Sequence, residues 1–374
     1  MADKNVDQVK AALLADFLGE MQKERPGEVL RMSDEGAHGH IQVIPTGAIS
    51  LDVALGAGGF PKGRIVELFG PEMSGKTSLA LSVAANAQAA GGNVGFVDAE
   101  HALSRKHASD FGLDFDRLVE FQPDSGEQAI EMVEKMVKSG SFDVVIVDSV
   151  AAMVPKAEID ADVEQQHMGL HARLMSKFMR RIAGVVAEHN VCLILVNQIR
   201  ADLGAYGTPM TTPGGKAIKF YSSVRVEVRS AASKKITVGK NVIGQTCVVT
   251  VKKNKVGAPH KVAEYDLIFG KGIDSEGSVV EAAEATGVLT RAGASYTVVA
   301  TGERLAVGKA NAKERLRNEP ELTEELVAAV YEALAHSTQV SASEQDAEDF
   351  GGSEGGFEGD FEGGFEGDFE EDAA

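Results

Sequence analysis

The sequence predicts an α/β fold, a mostly parallel central sheet with helices on both faces. Three observations carry that reading. Four short runs are apolar almost without interruption: Ile65–Phe69, Val94–Asp98, Val144–Asp148 and Val191–Asn197. A strand buried on both faces reads as such a run, whereas a half-exposed strand alternates. Helix-compatible segments separate the runs and are long enough for parallel crossovers. The chain of 374 residues, 44% of them hydrophobic, can also bury one large core or two to three smaller ones.

Taken in order, residues 5–24 read as an amphipathic helix. Val6, Val9, Leu13, Phe17 and Met21 recur at near-helical spacing and Pro26 stops the pattern. Its apolar stripe either covers the chain's own core or docks on a neighbouring subunit; the domain reading takes residues 1–40 as an oligomerisation helix and linker. Residues 41–270 form the α/β core, in which Val224–Arg229 alternates apolar and charged residues and Thr246–Lys252 is a further strand. Residues 271–338 read as a small α/β domain ending in a helix over Glu321–Ala335. Residues 339–374 are an acidic tail in which Gly-Gly-Phe-Glu-Gly-Asp-Phe-Glu occurs at 355–362 and again at 363–370. Too little aliphatic content to bury predicts disorder there. The tail is either a solvating segment or an acidic decoy that competes with a polyanion for a basic groove, its Phe residues open to partners.

The net charge is −19, yet 13 carboxylates and no basic residue lie between Ser341 and Ala374, which leaves −6 for the rest. Net charge therefore argues neither for nor against a nucleic-acid groove. The polar start, Met1-Ala2-Asp3-Lys4, lacks a following apolar region, and no apolar run is long enough for a bilayer. Cys192 and Cys247 sit inside β-branched runs; counting alone allows a disulfide, but two buried thiols in a reducing compartment is the preferred reading. A cytoplasmic protein without a membrane partner is expected.

Gly70-Pro71-Glu72-Met73-Ser74-Gly75-Lys76-Thr77, followed by Ser78, fits G-x-x-x-x-G-K-[ST] in the required context. It follows a strand and opens a helix over Lys76–Ala90. Such a loop turns backbone N–H groups toward a β-phosphate at a positive helix end; Lys76 reaches the β/γ-phosphates and the Thr77 hydroxyl binds Mg²⁺. ATP and Mg²⁺ are the expected cofactors. Val144–Asp148 is an apolar strand ending in a carboxylate and reads as Walker B, with Asp148 on the metal side. Glu100 follows another strand. It either orients the attacking water or is a helix N-terminal acid interacting with the dipole.

Several blocks together resemble the bacterial RecA recombinase family, as a divergent member. They are Thr46–Asp52, Ala54–Gly59, the phosphate loop, Asp98–Leu103, Gln122–Ala129, Asp148–Ala152, His167–Leu170, Asn197–Arg200 and Lys253-Asn254-Lys255. Their order and spacing match over roughly residues 40–320. The resemblance implies a RecA-type P-loop ATPase core with catalytic Glu100. It implies that Gln198 senses the γ-phosphate, that Lys253 and Lys255 reach ATP across a subunit interface, and that Phe220 helps relay cooperativity there. His107 stands at the adenine position, within Ser104-Arg105-Lys106-His107, where the family has an acid, Pro and, at the fourth place, Tyr.

The resemblance also implies two DNA-facing loops. The first spans about 160–169, ahead of a helix over Leu170–Glu188. That helix carries an apolar face (Leu174, Phe178, Ile182, Val185) and a cationic one (Arg173, Lys177, Arg180), read either as solvated or as phosphate-gripping. Met168, Gly169, Arg173, Ser176 and Arg180 are the expected contacts. The second loop, about 201–215, is rich in Gly, Thr and Pro and one residue shorter than usual. Arg200, Gly214, Gly215 and Lys216 can meet phosphates there, and Leu203 and Tyr206 can wedge between bases. Ser230, Val248 and Thr250 stand where the family's secondary DNA site is often basic, which implies weaker duplex capture.

The expected function follows: a DNA-dependent ATPase and homologous recombinase that forms a helical homo-oligomeric filament on single-stranded DNA and pairs it with homologous duplex, acting in DNA repair and the SOS response. A self-cleaving repressor is a further partner implied by the family. The alternatives are a regulatory filament with weak strand exchange and a helicase motor on the same core. A nucleotide kinase is disfavoured, since no acceptor pocket or lid signature is visible.

Overall fold

The computed structural model describes residues 2–25, 29, 31, 41–161, 169–201 and 210–348; for residues 2–7, 200–201, 210–211, 232–233 and 336–348 only the backbone is described. Its main sheet comprises β1 (Ile65–Gly70), β2 (Val94–Asp98), β3 (Leu118–Phe121), β4 (Val144–Asp148), β5 (Cys192–Gln198), β6 (Val224–Val238), β7 (Asn241–Asn254), β8 (Val262–Ile268) and β9 (Gly272–Ile273). The spatial order is β9-β8-β7-β6-β1-β5-β4-β2-β3. From β6 to β3 neighbours run parallel. From β6 to β9 they run antiparallel.

The helices of this part are α1 (Ala2–Glu24), α2 (Ile49–Leu55), α3 (Lys76–Ala89), α4 (Arg105–Asp110), α5 (Gly126–Lys138), α6 (Lys156–Ile159), α7 (Leu170–Glu188) and α8 (Gly215–Tyr221). Both faces of the sheet are covered at β1, β2, β4 and β5, which is why those strands read as continuous apolar runs. Val144 and Ile146 of β4 pack with Leu79 and Val83 of α3 on one face. Val145 and Val147 pack with Val133 of α5 and Phe178 and Ile182 of α7 on the other. Along α7 the buried residues are Met175, Phe178, Met179, Ile182 and Val186, so the apolar stripe is rotated from the predicted one, and Leu174 and Val185 are only half-buried. The expected stripe of α1 is not buried: Val9, Leu13 and Phe17 are 54%, 63% and 50% exposed.

The β6–β7 hairpin is longer than either predicted strand. β1 pairs only with residues 224–227 of β6, and β8 only with residues 244–250 of β7. Beyond those limits the hairpin is a two-stranded ribbon whose Lys234, Lys235 and Lys240 are exposed. It lacks a buried face, so apolar alternation could not reveal it.

The C-terminal part contains α9 (Ser275–Ala285), the antiparallel sheet β10 (Leu289–Ala292), β11 (Ser295–Val298) and β12 (Arg304–Val307), then α10 (Lys309–Asn318) and α11 (Pro320–Glu348). Val279, Leu289, Tyr296, Leu305, Leu316 and Leu326 form its core, which Ile49 and Val53 of α2 extend. The Ser50 N–H donates to Ser278 Oγ at 2.9 Å. The Tyr331 hydroxyl donates to the buried Asp52 carboxylate at 3.0 Å, and the Thr46 N–H donates to the same group at 3.0 and 3.3 Å. Helix α11 continues past Ala335, the predicted end, because no Gly or Pro interrupts the chain until Gly351. The remaining tail, 349–374, lies outside the described residues.

Candidate functional site

The phosphate loop joins the end of β1 to the start of α3. Gly75 caps α3 in the left-handed region with φ 96°, and Met73 has φ 54° with its side chain 90% exposed. The first glycine is fixed by space: a Cβ on Gly70 would lie 2.0 Å from the Val228 carbonyl oxygen of β6. The hairpin also braces the loop from below. Gln245 Nε2 donates to the Met73 carbonyl at 3.0 Å, and Cys247 Sγ lies 3.5 Å from the Ser74 carbonyl. Both cysteines are buried free thiols. Burial pushes the Cys247 thiol up to about 11, which leaves it packing against the loop rather than reacting.

Lys76 is buried and its ammonium donates to the Pro71 carbonyl at 2.6 Å. Burial lowers its pKa, and the nearby Asp148, Glu100 and Glu72 carboxylates oppose that. Thr77 Oγ1 donates to Asp148 Oδ2 at 2.6 Å, so the two residues named as metal-binding stand together. Burial raises the Asp148 carboxyl to about 6 against the Thr77 hydrogen bond. Ser74 Oγ is buried with no partner among the described residues.

Adjacent parallel strands place Glu100 beside this loop. Ala99 and Glu100 donate their N–H groups to the Asp148 carbonyl at 2.8 and 3.3 Å. Glu100 Oε1 accepts from the Ser149 hydroxyl and, at 3.0 Å, from Gln198 Nε2. The Asp98 carboxylate turns the segment by accepting from Ala102 and Leu103 N–H at 3.2 and 3.0 Å. Glu100 therefore does not cap a helix; α4 begins at Arg105, and its cap is Ser104, whose Oγ accepts from His107 N–H. His107 stands edge-on to Phe111 with ring centroids 5.6 Å apart. Ser149 and Asp98 were not singled out from the sequence, although both occupy strand ends beside residues that were.

Lys253, Lys255 and Phe220 are not brought to this site. The Lys255 N–H bonds the Ser223 carbonyl, and the Ser223 N–H bonds the Ile65 carbonyl at the start of β1. The phosphate loop leaves the other end of that strand, roughly 17 Å away at ~3.3 Å per residue. Lys253 Nζ instead caps α8, donating to the carbonyls of Lys219 and Phe220 at 2.7 and 2.9 Å. Phe220 is 69% exposed and shares with Lys255 a recess of about 340 Å³.

Arg173, Lys177 and Arg180 are exposed along one face of α7, and Ser176 is half-buried. Gly169, φ 82°, precedes the helix. Gly214 and Gly215, φ 93° and 72°, open α8, and a Cβ on Gly215 would lie 3.2 Å from Ala172 Cβ. The starts of α7 and α8, with exposed Lys216, are thus side by side. Met168, Leu203 and Tyr206 lie outside the described residues, and of Arg200 only the backbone is described. At the hairpin base Ser230 Oγ donates to Gln245 Oε1, while Val248 and Thr250 are half-buried. The neighbouring cations Arg229 and Lys252 are both engaged by Glu227, at 2.5 and 3.0 Å. No helix among the described residues is long and apolar enough to cross a membrane.

Two family models match the chain, that of the RecA N-terminal domain over residues 13–274 and that of the RecA C-terminal domain over residues 277–335. A relative named Protein RecA from Heliobacterium modesticaldum is 50% identical over 301 residues, 80% of this chain and 86% of its own. Relatives of the same name from a Nocardioides species and from Saccharopolyspora erythraea are 44% and 45% identical. The first covers 94% of this chain and 99% of its own. The second covers 91% and 97%.

Proposed function

Because the chain belongs to the RecA family and is accordingly a DNA-dependent ATPase and recombinase, we propose that it binds ATP and Mg²⁺ at residues Gly70–Thr77, assembles into a helical filament on single-stranded DNA and exchanges strands with homologous duplex. The residues present fit the nucleotide. Ser74 Oγ is a buried polar atom without a partner among the described residues, and Gly75, at φ 96°, leads the loop into the N-terminus of α3, whose free N–H groups suit an anion. Gly70, Pro71, Glu72, Met73, Ser74, Gly75, Lys76, Thr77 and Ser78 would cradle the phosphates, with Thr77 and Asp148 on the cation and His107 beside the base. The nucleotide supplies the anhydride bond to be cleaved, and the cation neutralises its charge. Glu100 holds the attacking water and takes its proton, Gln198 shares the Glu100 carboxylate, and Lys76 stabilises developing negative charge.

The observation that carries assembly is the division of the catalytic set between opposite ends of one sheet. Lys253, Lys255 and the exposed Phe220 lie at the end of the sheet opposite their own phosphate loop, and in this reading they complete the loop of a neighbour. Such head-to-tail contacts generate rings or open helices rather than closed dimers. The uncovered stripe of α1 supplies a second docking element. A cation delivered by the neighbour makes hydrolysis depend on assembly.

DNA runs along Gly169, Arg173, Ser176 and Arg180, with Arg200, Gly214, Gly215 and Lys216 beside them and Met168, Leu203 and Tyr206 as further contacts. Phosphate contacts of this kind are sequence-independent, as recombination requires. Duplex capture is weak, because Glu227 occupies the cations that remain at the hairpin base. DNA repair, the SOS response, cleavage of a self-cleaving repressor and a cytoplasmic location complete the reading.

The test is ATP hydrolysis with and without single-stranded DNA, together with DNA binding across a salt series. Hydrolysis should rise on adding DNA. Lys177→Ala/Arg180→Ala should weaken binding and reduce the log–log salt slope by roughly 1–2. Hydrolysis indifferent to DNA, with an unchanged slope, would overturn the assignment of α7.

A further inference from the structure

A second route into the catalytic glutamate is visible on the described residues. His171 lies in the first turn of α7, two residues before Arg173. Its Nε2 is 2.9 Å from the carbonyl oxygen of Val150. A carbonyl only accepts, so the imidazole donates. The same carbonyl accepts from the Met153 N–H at 3.2 Å, closing the short turn over Val150–Ala152. That turn directly follows Asp148 and Ser149, and the Ser149 hydroxyl donates to Glu100 Oε1.

The helix and the turn also both pack closely on Gly126 at the start of α5. A Cβ on Gly126 would fall 2.6 Å from Leu174 Cδ2 and 2.9 Å from the Met153 carbonyl oxygen. The Gly126 N–H donates to the Val154 carbonyl at 2.7 Å. The first turns of α7 and the segment 149–154 therefore have little room to move independently. Glu100 Oε1 is met from two sides. Gln198 reaches it from the end of β5, and Ser149 reaches it from the strand end to which His171 fastens α7.

We propose that His171 is a positioning residue that couples DNA held by α7 to Glu100 through the Val150 carbonyl and Ser149. The proposal rests on the reading of α7 as a DNA-binding face. When phosphates draw on Arg173, Lys177 and Arg180, the helix start moves as one body with the Val150–Ala152 turn. Ser149 then resets the carboxylate that holds water. His171 touches neither nucleotide nor DNA in this scheme. Its loss affects the response to DNA and not the binding of either ligand.

The experiment compares His171→Ala and His171→Gln with the unaltered full-length protein, measuring kcat and KM for ATP with and without saturating single-stranded DNA, and DNA affinity separately. His171→Ala should lower the DNA-stimulated kcat about tenfold, the scale of one lost hydrogen bond. The unstimulated rate, KM for ATP and DNA affinity should stay within about twofold. The glutamine amide can donate to the same carbonyl and should restore most of the stimulation. Full stimulation in His171→Ala overturns the coupling, as does a His171→Gln variant as impaired as the alanine one. Lys177→Ala/Arg180→Ala separates the two ideas. If that variant binds DNA normally, the DNA-face reading fails and takes the coupling with it. If its binding weakens while His171→Ala keeps full stimulation, the coupling alone fails.

Discussion

Glu100→Gln is expected to lower DNA-stimulated ATP hydrolysis by at least about 100-fold, the usual scale for losing a positioned general base. The carboxamide has nearly the same shape, and its oxygen can still accept from the Ser149 hydroxyl and from Gln198 Nε2, the two donors that hold Glu100. It cannot take a proton from water. Nucleotide and DNA affinities should therefore remain within a few-fold, because Lys76, Thr77 and Asp148 are untouched. Filaments of the variant should outlive those of the parent, since hydrolysis releases them. Single-turnover hydrolysis and filament lifetimes on labelled DNA check this together. A variant retaining more than about a tenth of the parent rate would remove Glu100 from the base role.

The second large effect lies far from the phosphates. Asp52 is fully buried between α2 and α11, and burial, only partly offset by hydrogen bonds from Thr46 and Tyr331, raises its carboxyl to about 7. The ordinary value is ~3.9. A carboxyl raised on folding contributes its stability in full below about pH 4 and loses it as pH rises through about 7. Relative to Asp52→Asn, which keeps the shape and cannot ionise, the parent should lose about 4 kcal/mol between about pH 4 and 8. Urea midpoints of both proteins at about pH 5 and 8 measure the difference, which should move toward the asparagine variant by about 2–3 kcal/mol. A difference independent of pH would mean that the carboxylate is ionised throughout.

Much of this structure is legible in the chain. β2, β4 and α7 begin and end where their patterns predict, because each is covered by neighbours and its residue types report that burial. The phosphate loop is legible for another reason: Gly70, Gly75, Lys76 and Thr77 answer local demands of space, backbone angle and charge. What escapes is whatever depends on distant partners. The ribbon end of the β6–β7 hairpin buries no face. Ser149 meets Glu100, and His171 meets Val150, only after the strands are ordered β5-β4-β2. The placement of Lys253 and Lys255 away from the phosphate loop follows from the antiparallel return of β7, which pairwise spacing does not encode.

Asn197 ends up as a single fastening point. Its Nδ2 donates to Glu67 Oε1 at 3.0 Å and to the Pro213 carbonyl at 3.1 Å, and its Oδ1 accepts from the Gln198 N–H at 3.0 Å. Glu67 is held in turn by Arg225 Nε at 2.5 Å. One buried amide thus secures both the chain leaving β5, at Gln198, and the chain entering α8, at Pro213. The stretch between becomes an exchangeable cassette. Lengthening or shortening it alters the closure entropy only slightly, by ~0.6 kcal/mol for each doubling, and leaves the Gln198 anchor in place. Such a loop can diversify between lineages, or be replaced by design, while the ATPase behind it keeps its register.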